Sequence, residues 1–307
     1  METALQESVA GLYGTGFLDT GERVRRLMER YGGVVILPSV LGYETGLKKN
    51  IRKIAGIVEE LGPGSRLHVD VMRRPFTERD AFSSDDIRIL CGELGDCTDF
   101  DFHIMAMEPE PVLGLIDNVI PDYRKPDTMI TIHREACREA PPRYVWLCPK
   151  EHDLLKFSTG SRGVNRRIRK IYTDSSGRIA ELMKTLWKRY NTGIALEPGT
   201  CLENLSAGGE SMKIHKYANR ILIMAVESGK GGQGFIPGME EKVAEAHRLN
   251  AYKEVQVDGG INEQTLPLVI SAGADGVVIG SYITGAADPV MQARKARGII
   301  DSMAYSY

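Results

Sequence analysis

Eight short apolar runs, most followed by an amphipathic stretch, predict a (β/α)8 TIM barrel for this 307-residue chain. Three observations carry the prediction. The runs are near-continuously apolar, as parallel strands buried on both faces are. Strand and helix signals alternate over most of the sequence. The length also fits one barrel of ~250 residues with additions.

Taken in order, Val34-Val35-Ile36-Leu37 reads as the first strand, followed by a helical stretch over Leu47–Leu61. Arg66–Met72 is the second strand, 100–107 the third and Met129–His133 the fourth. The run 178–190 is helical, because Ile179, Leu182, Met183 and Leu186 recur at helical spacing. Strands follow at 193–196, 220–226, 254–257 and Gly276–Ile279, with helices at 240–249, Thr265–Ala272 and 289–303.

Two segments exceed a minimal barrel. Residues 1–32 form an N-terminal extension with a short amphipathic patch at 22–31, and the barrel occupies 33–307. Residues 138–177 form an insertion after the fourth strand, longer than most βα loops. It carries the basic run Arg166-Arg167-Ile168-Arg169-Lys170. Loops after strands lie on the catalytic face of such barrels. The insertion is therefore placed either to touch a substrate, or to serve as a subunit contact or a solvated excursion.

Composition narrows the function classes. Lys+Arg 39 against Asp+Glu 41 gives a net charge of −2, so no global field recruits nucleic acid or an acidic membrane. No run approaches the ~20 apolar residues of a membrane span, and the N-terminus has no signal-peptide pattern. The five cysteines are scattered without a CxxC pair and read as reduced thiols, so a cytoplasmic location is expected.

The chemistry-bearing residues lie on strands and strand ends. In His68-Val69-Asp70-Val71-Met72, His68, Asp70 and Met72 share one face while the valines take the other. Phe102-His103-Ile104-Met105 repeats the theme with His103 and Met105. A single such histidine reads as a hydrogen-bonded core residue; two in succession are harder to explain that way. Asp258 closes the seventh strand, where barrel enzymes place catalytic groups. Two imidazoles and two carboxylates can make a site for a divalent transition metal, zinc first. Glycines cluster after the last three strands, at 229–234, Gly259-Gly260 and Gly280 with Ser281. Each alone is a tight turn or helix start; in succession they suggest free backbone N–H groups around one phosphate.

These stretches resemble the ribulose-phosphate 3-epimerase family in order and spacing, from Leu37 to about Pro289. Pro38-Ser39-Val40-Leu41 resembles the family's first strand end, Leu67 to Met72 its His-Val-Asp-Val-Met strand, and Val226 to Pro237 its Gly-x-Gly-Gly-Gln-x-Phe-Ile-Pro loop. Phe102 to Met105, Ile130 to Cys137, Ala195 to Leu205, Val257 to Asn262 and Ile279 to Ser281 are similar to the family's remaining strand ends. The resemblance implies a barrel of the ribulose-phosphate-binding type that inverts C3 of a ketose phosphate. It implies His68, Asp70, His103 and Asp258 as ligands of one divalent ion, with Zn2+ ahead of Fe2+, Mn2+ or Co2+. Asp70 would accept the proton and Asp258 donate one, through an enediolate. Ser39 and His103 would touch substrate, and Met72, Met105 and Met224 would lie beneath the reacting carbons. Gly229, Lys230, Gly231, Gly232, Gly259, Gly260, Gly280 and Ser281 would hold the phosphate. A homo-oligomer is expected on the same ground.

Departures from the family pattern bear on the substrate. Arg73-Arg74-Pro75-Phe76 stands where an acidic residue and a Gly-His-Phe-type loop are usual, Lys230 replaces an aromatic residue and Ser228 a proline. The added cations raise allulose 6-phosphate, or a larger or more anionic sugar phosphate, as alternatives to ribulose 5-phosphate. A decarboxylase or aldolase on this barrel would bring an Asp-x-Lys-x-x-Asp motif, which the sequence lacks. A non-catalytic sugar-phosphate-binding barrel would not need two carboxylates.

Overall fold

The computed structural model describes residues 33–62, 64–136, 143–146, 168–171, 176–202, 214, 216–249 and 254–305. The expected extension 1–32 lies outside them, as does most of the insertion 138–177.

Eight parallel strands form the barrel: β1 Val35–Pro38, β2 Arg66–Met72, β3 Asp99–Met105, β4 Met129–His133, β7 Asn191–Leu196, β8 Arg220–Met224, β9 Glu254–Asp258 and β10 Gly276–Ile279. Their order in the sheet is β1-β10-β9-β8-β7-β4-β3-β2. The ring closes where Ser39 bridges His68 in parallel and the Val40 N–H donates to the His68 carbonyl at 3.1 Å. All eight expected strands are present, with ends that differ by up to two residues.

Helices α1 Leu47–Leu61, α4 Ser176–Leu186, α5 Met239–Leu249, α6 Thr265–Ala272 and α8 Pro289–Tyr305 stand where periodicity placed them. Helices α2 Ser84–Leu94 and α3 Glu110–Val119 fill the units after β2 and β3, and the one-turn α7 Ser281–Thr284 follows β10. Helix α2 had a local signal: Ser83 accepts from the Asp86 N–H while Asp86 accepts from the Ser83 N–H, a reciprocal cap. The insertion contains a small antiparallel hairpin, β5 Arg143–Trp146 with β6 Ile168–Ile171, which continuous alternation of strand and helix would not predict.

Two apolar zones hold the barrel. Strand residues such as Val69, Val71, Phe102 and Ile104 are fully buried in the large core they share with the helices. Inside the ring, Leu37, Ala195, Leu222, Met224 and Val278 make a smaller cluster. The period-two alternation of β2 to β4 thus leaves His68, Asp70, Asp101, His103, Thr131 and His133 to fill the rest of the interior. Most of the polar side chains of the barrel interior come from β2 to β4.

Candidate metal centre and cleft

His68, Asp70, His103 and Asp258 each bring one ligand atom into a group whose members all lie within 4.8 Å of one another. Parallel pairing explains the meeting: Asp70 lies beside His103 in the β2–β3 register, and Asp258 ends β9 across the barrel. His68 Nε2 and His103 Nδ1 stand 3.1 and 3.0 Å from Asp70 Oδ1, and 3.9 and 3.7 Å from Asp258 Oδ2. Ser39 Oγ donates to the other Asp70 oxygen at 2.8 Å.

Each imidazole is held from behind. His68 Nδ1 faces Asp101 Oδ2 at 2.9 Å, and Asp101 Oδ2 in turn accepts from Arg220 Nη1 at 2.6 Å. His103 Nε2 lies 2.8 Å from His133 Nε2, whose Nδ1 is 3.3 Å from Glu135 Oε2 and 3.5 Å from Glu197 Oε1. With the His133 Nδ1–H on Glu135 and the His103 Nε2–H on His133, the His103 Nδ1 lone pair would face an ion; in the other tautomer His103 Nδ1–H donates to Asp70. Outer partners that orient imidazoles in this way are what metal-binding histidines require. Two neutral-capable imidazoles and two carboxylates suit a divalent transition metal such as zinc.

The electrostatics divide the two carboxylates. Burial pulls Asp70 toward neutrality, but His68 and His103 overcome it and hold its carboxyl well below the usual range. Burial and then the Asp70 charge push Asp258 up to about 7. Burial brings His103 down to about 4 against its bond to Asp70, so it is neutral at pH 7. Against burial, Asp70 and Asp101 keep His68 well above the ordinary imidazole range. Two carboxylates converging with so little solvent are a place for a cation.

The group opens into a cleft of about 340 Å³. Ser39, Asp70, Met105, Met224 and Asp258 line it, together with Gly229 to Gly232, Gly259, Gly260, Gly280 and Ser281. Gly260 has φ +67°, and a Cβ there would run into the backbone of Phe235, so the loop needs glycine. His68 and His103 are fully buried beneath the cleft. Met72 does not line it: this side chain too is fully buried, and its backbone pairs with Ala81.

Arg73 and Arg74 do not line the cleft. Arg73 donates to the carbonyls of Met72, Ala81 and Phe82 at 2.7, 2.8 and 3.0 Å and so folds the loop 73–82. The Arg74 side chain is 69 % exposed and faces Asp80. The cations on the cleft are Arg79, paired with Glu44, and Lys230, 3.4 Å from Glu78.

Several polar residues of this neighbourhood escaped the sequence reading: Asp101, His133, Glu135, Glu197 and Arg220. Asp101-x-His103 and His133-x-Glu135 repeat the alternation of His68-x-Asp70, and that signal was available. Arg220 had none, since an arginine opening a strand normally reaches solvent.

Comparison with known proteins follows the same lines. The model of the "Ribulose-phosphate 3 epimerase family" matches residues 172–284. The cytoplasmic isoform of ribulose-phosphate 3-epimerase from Oryza sativa subsp. japonica is 38% identical over 102 residues, 33% of this chain and 43% of that protein. The ribulose-phosphate 3-epimerase of Bacillus subtilis (strain 168) is 25% identical over 274 residues, 86% of this chain and 99% of that protein. A span of that length includes His68, Asp70, His103 and Asp258 wherever it begins. Matches to the first of these relatives cover about half of the relatives' own length. Tryptophan synthase subunit alpha from Legionella pneumophila str. Paris shares the fold, with TM-score 0.52 at 11% identity over 93% of this chain and 100% of that one. The chain therefore resembles the ribulose-phosphate 3-epimerase family in sequence and has the architecture of a (β/α)8 barrel. Among the described residues, no helix is long and apolar enough to cross a membrane.

Proposed function

We propose that this protein is an isomerase that epimerises C3 of a phosphorylated ketose, of the ribulose 5-phosphate/xylulose 5-phosphate type. The observation that carries the reading is the pair Asp70 and Asp258, both lining one cleft and both gathered with His68 and His103 into a group whose ligand atoms lie within 4.8 Å of one another. Two carboxylates at one reacting centre can supply a base and an acid.

Asp70, steadied by Ser39, removes the C3 proton; Asp258 returns one to the opposite side of the planar enediolate. His68, Asp70, His103 and Asp258 would hold a divalent ion, which when bound neutralises the charge that develops on the substrate oxygens. Met105 and Met224 offer the intermediate a polarisable surface with no exchangeable proton. Gly229 to Gly232, Gly259, Gly260, Gly280 and Ser281 receive the phosphate at the other end of the cleft. Zinc is the first choice of ion, with Fe2+, Mn2+ or Co2+ as alternatives. The setting is cytoplasmic, the partner is the sugar phosphate rather than nucleic acid or membrane, and the assembly is a homo-oligomer.

A second substrate reading has its own support. Arg79 and Lys230 line the cleft, and the exposed Glu78 that pairs with Lys230 is a partner a stronger anion would displace. This favours a larger or more anionic sugar phosphate, with allulose 6-phosphate as the nearest variant.

Proton–deuterium exchange at C3, followed by NMR in D2O with zinc, tests both readings. Ribulose 5-phosphate, allulose 6-phosphate and a doubly phosphorylated ketose form the panel. Exchange with epimer formation is expected, and relative rates name the substrate. No exchange on any member by the metal-loaded protein rejects the epimerase reading.

A further inference from the structure

Arg220 is fully buried inside the barrel, where strands ordinarily place apolar side chains. Strand alternation puts it in line with Leu222 and Met224, beneath the cleft. Gly193 lies beside it: a Cβ there would meet Thr131 Oγ1 at 2.7 Å and just touch Arg220 Cβ at 3.4 Å. Its Nη1 donates to Asp101 Oδ2 at 2.6 Å, and its Nε to Glu254 Oε2 at 3.3 Å. The same Asp101 oxygen lies 2.9 Å from His68 Nδ1. Asp101 is itself fully buried, so its charge has no water to lean on.

We propose that Arg220 is a positioning residue for the metal centre, acting through Asp101 to fix the orientation and tautomer of His68. The proposal rests on the reading that His68, Asp70, His103 and Asp258 hold a divalent ion. With Arg220 in place, Asp101 stays an acceptor for the His68 Nδ1–H. The His68 Nε2 lone pair is thereby turned toward Asp70 and Asp258, the side on which the ion would sit. Without the guanidinium, the Asp101 carboxylate loses its 2.6 Å partner and can turn away from His68 Nδ1, and the ring loses the contact that aims its Nε2. A merely structural role, plugging the barrel floor, would affect stability and leave the centre's affinity alone.

The test uses the full chain, stripped of metal, as wild type, R220M, R220Q, R220K, D101N and R220M/D101N. Co2+ is titrated against a chromophoric chelator, and the thermal midpoint of each metal-free protein is measured alongside. R220M and R220Q are expected to bind Co2+ about 10- to 100-fold more weakly than wild type. R220K, which restores the cation, is expected to recover part of the loss. Because Arg220 acts through Asp101, R220M/D101N should bind within about threefold of D101N alone. Should R220M not fold, R220Q, which keeps a polar donor on the barrel floor, supplies the comparison. A variant that melts earlier yet holds Co2+ within about twofold of wild type overturns the proposal while leaving the metal centre standing. Wild type that takes up no Co2+ overturns the metal reading and this proposal with it.

Discussion

Asp70 and Asp258 share a site yet differ in acidity because their neighbours differ. Asp70 has two imidazoles and a hydroxyl on it, while Asp258 has burial and the Asp70 charge against it. Replacing Asp70 by Asn keeps size but removes the carboxylate proposed as the base. Turnover should fall at least about 10³-fold with the fold retained, as steady-state kinetics beside circular dichroism would establish. Normal turnover by that variant would end the base assignment. Arg73, one of the cations that the sequence links to the substrate, and Arg79, which lines the cleft, should behave differently. R73A should loosen the loop 73–82, seen as faster hydrogen exchange there, because three carbonyls lose their donor. R79A should instead raise the KM for a phosphorylated ketose about tenfold with little change in melting, if the cleft-lining guanidinium meets the substrate. An unchanged KM would return Arg79 to its pair with Glu44.

At the scale of elements, the site is assembled from strand ends and loops that pack on one another. The loop 73–82 lies over the β4 and β8 ends: Phe76 packs on His133 with ring centroids 4.7 Å apart, and Thr77 abuts Gly229. Helix α2, which follows this loop, begins at the Ser83–Asp86 cap. S83A removes that cap and should lower stability by about 1 kcal/mol, read as a shift of the urea midpoint. Metal affinity should not follow, because the cap touches none of the centre. The sequence pattern made the strands legible, since each is a bounded apolar run. Apolar periodicity did not mark α2 or α3, though the Ser83–Asp86 spacing was a cap signal for α2, and nothing in local periodicity announces that β5 and β6 pair with each other rather than joining the ring.

For the whole molecule, the polar half of the barrel ties stability to pH and to metal. Glu135 is buried with His133, Thr200 and the Glu197 N–H around it, and these bring it down to about 2 against burial. An unfolded glutamate titrates near 4.5. The native chain therefore binds fewer protons between those values, so this stabilisation is complete above about 4.5 and lost as pH falls toward 2. Over that window E135Q should unfold with about one proton fewer taken up per molecule than wild type, measured as the slope of unfolding free energy against pH. Equal slopes would mean that Glu135 is not held ionised. Zinc should raise the thermal midpoint, since an ion bound only by the folded chain at about 100 times its Kd adds ~2.7 kcal/mol. Chelation should reverse the gain, and D258N should abolish most of it; a midpoint indifferent to zinc would count against the centre.

What the sequence by itself determined was the barrel and its strand-borne candidates. A buried strand must be apolar on its outer face, so His68, Asp70 and His103 stand out by alternation, and Asp258 by closing a strand before Gly259 and Gly260. Only the tertiary structure decided which of these residues meet, which do not, and what stands behind them. Met72 does not line the cleft, Arg73 is used up on backbone carbonyls, and Arg220 reaches Asp101 from 119 positions along the chain. Local periodicity says which way a side chain points from its own strand. Register and ring closure, set by hydrogen bonds between distant strands, say what that side chain finds when it gets there.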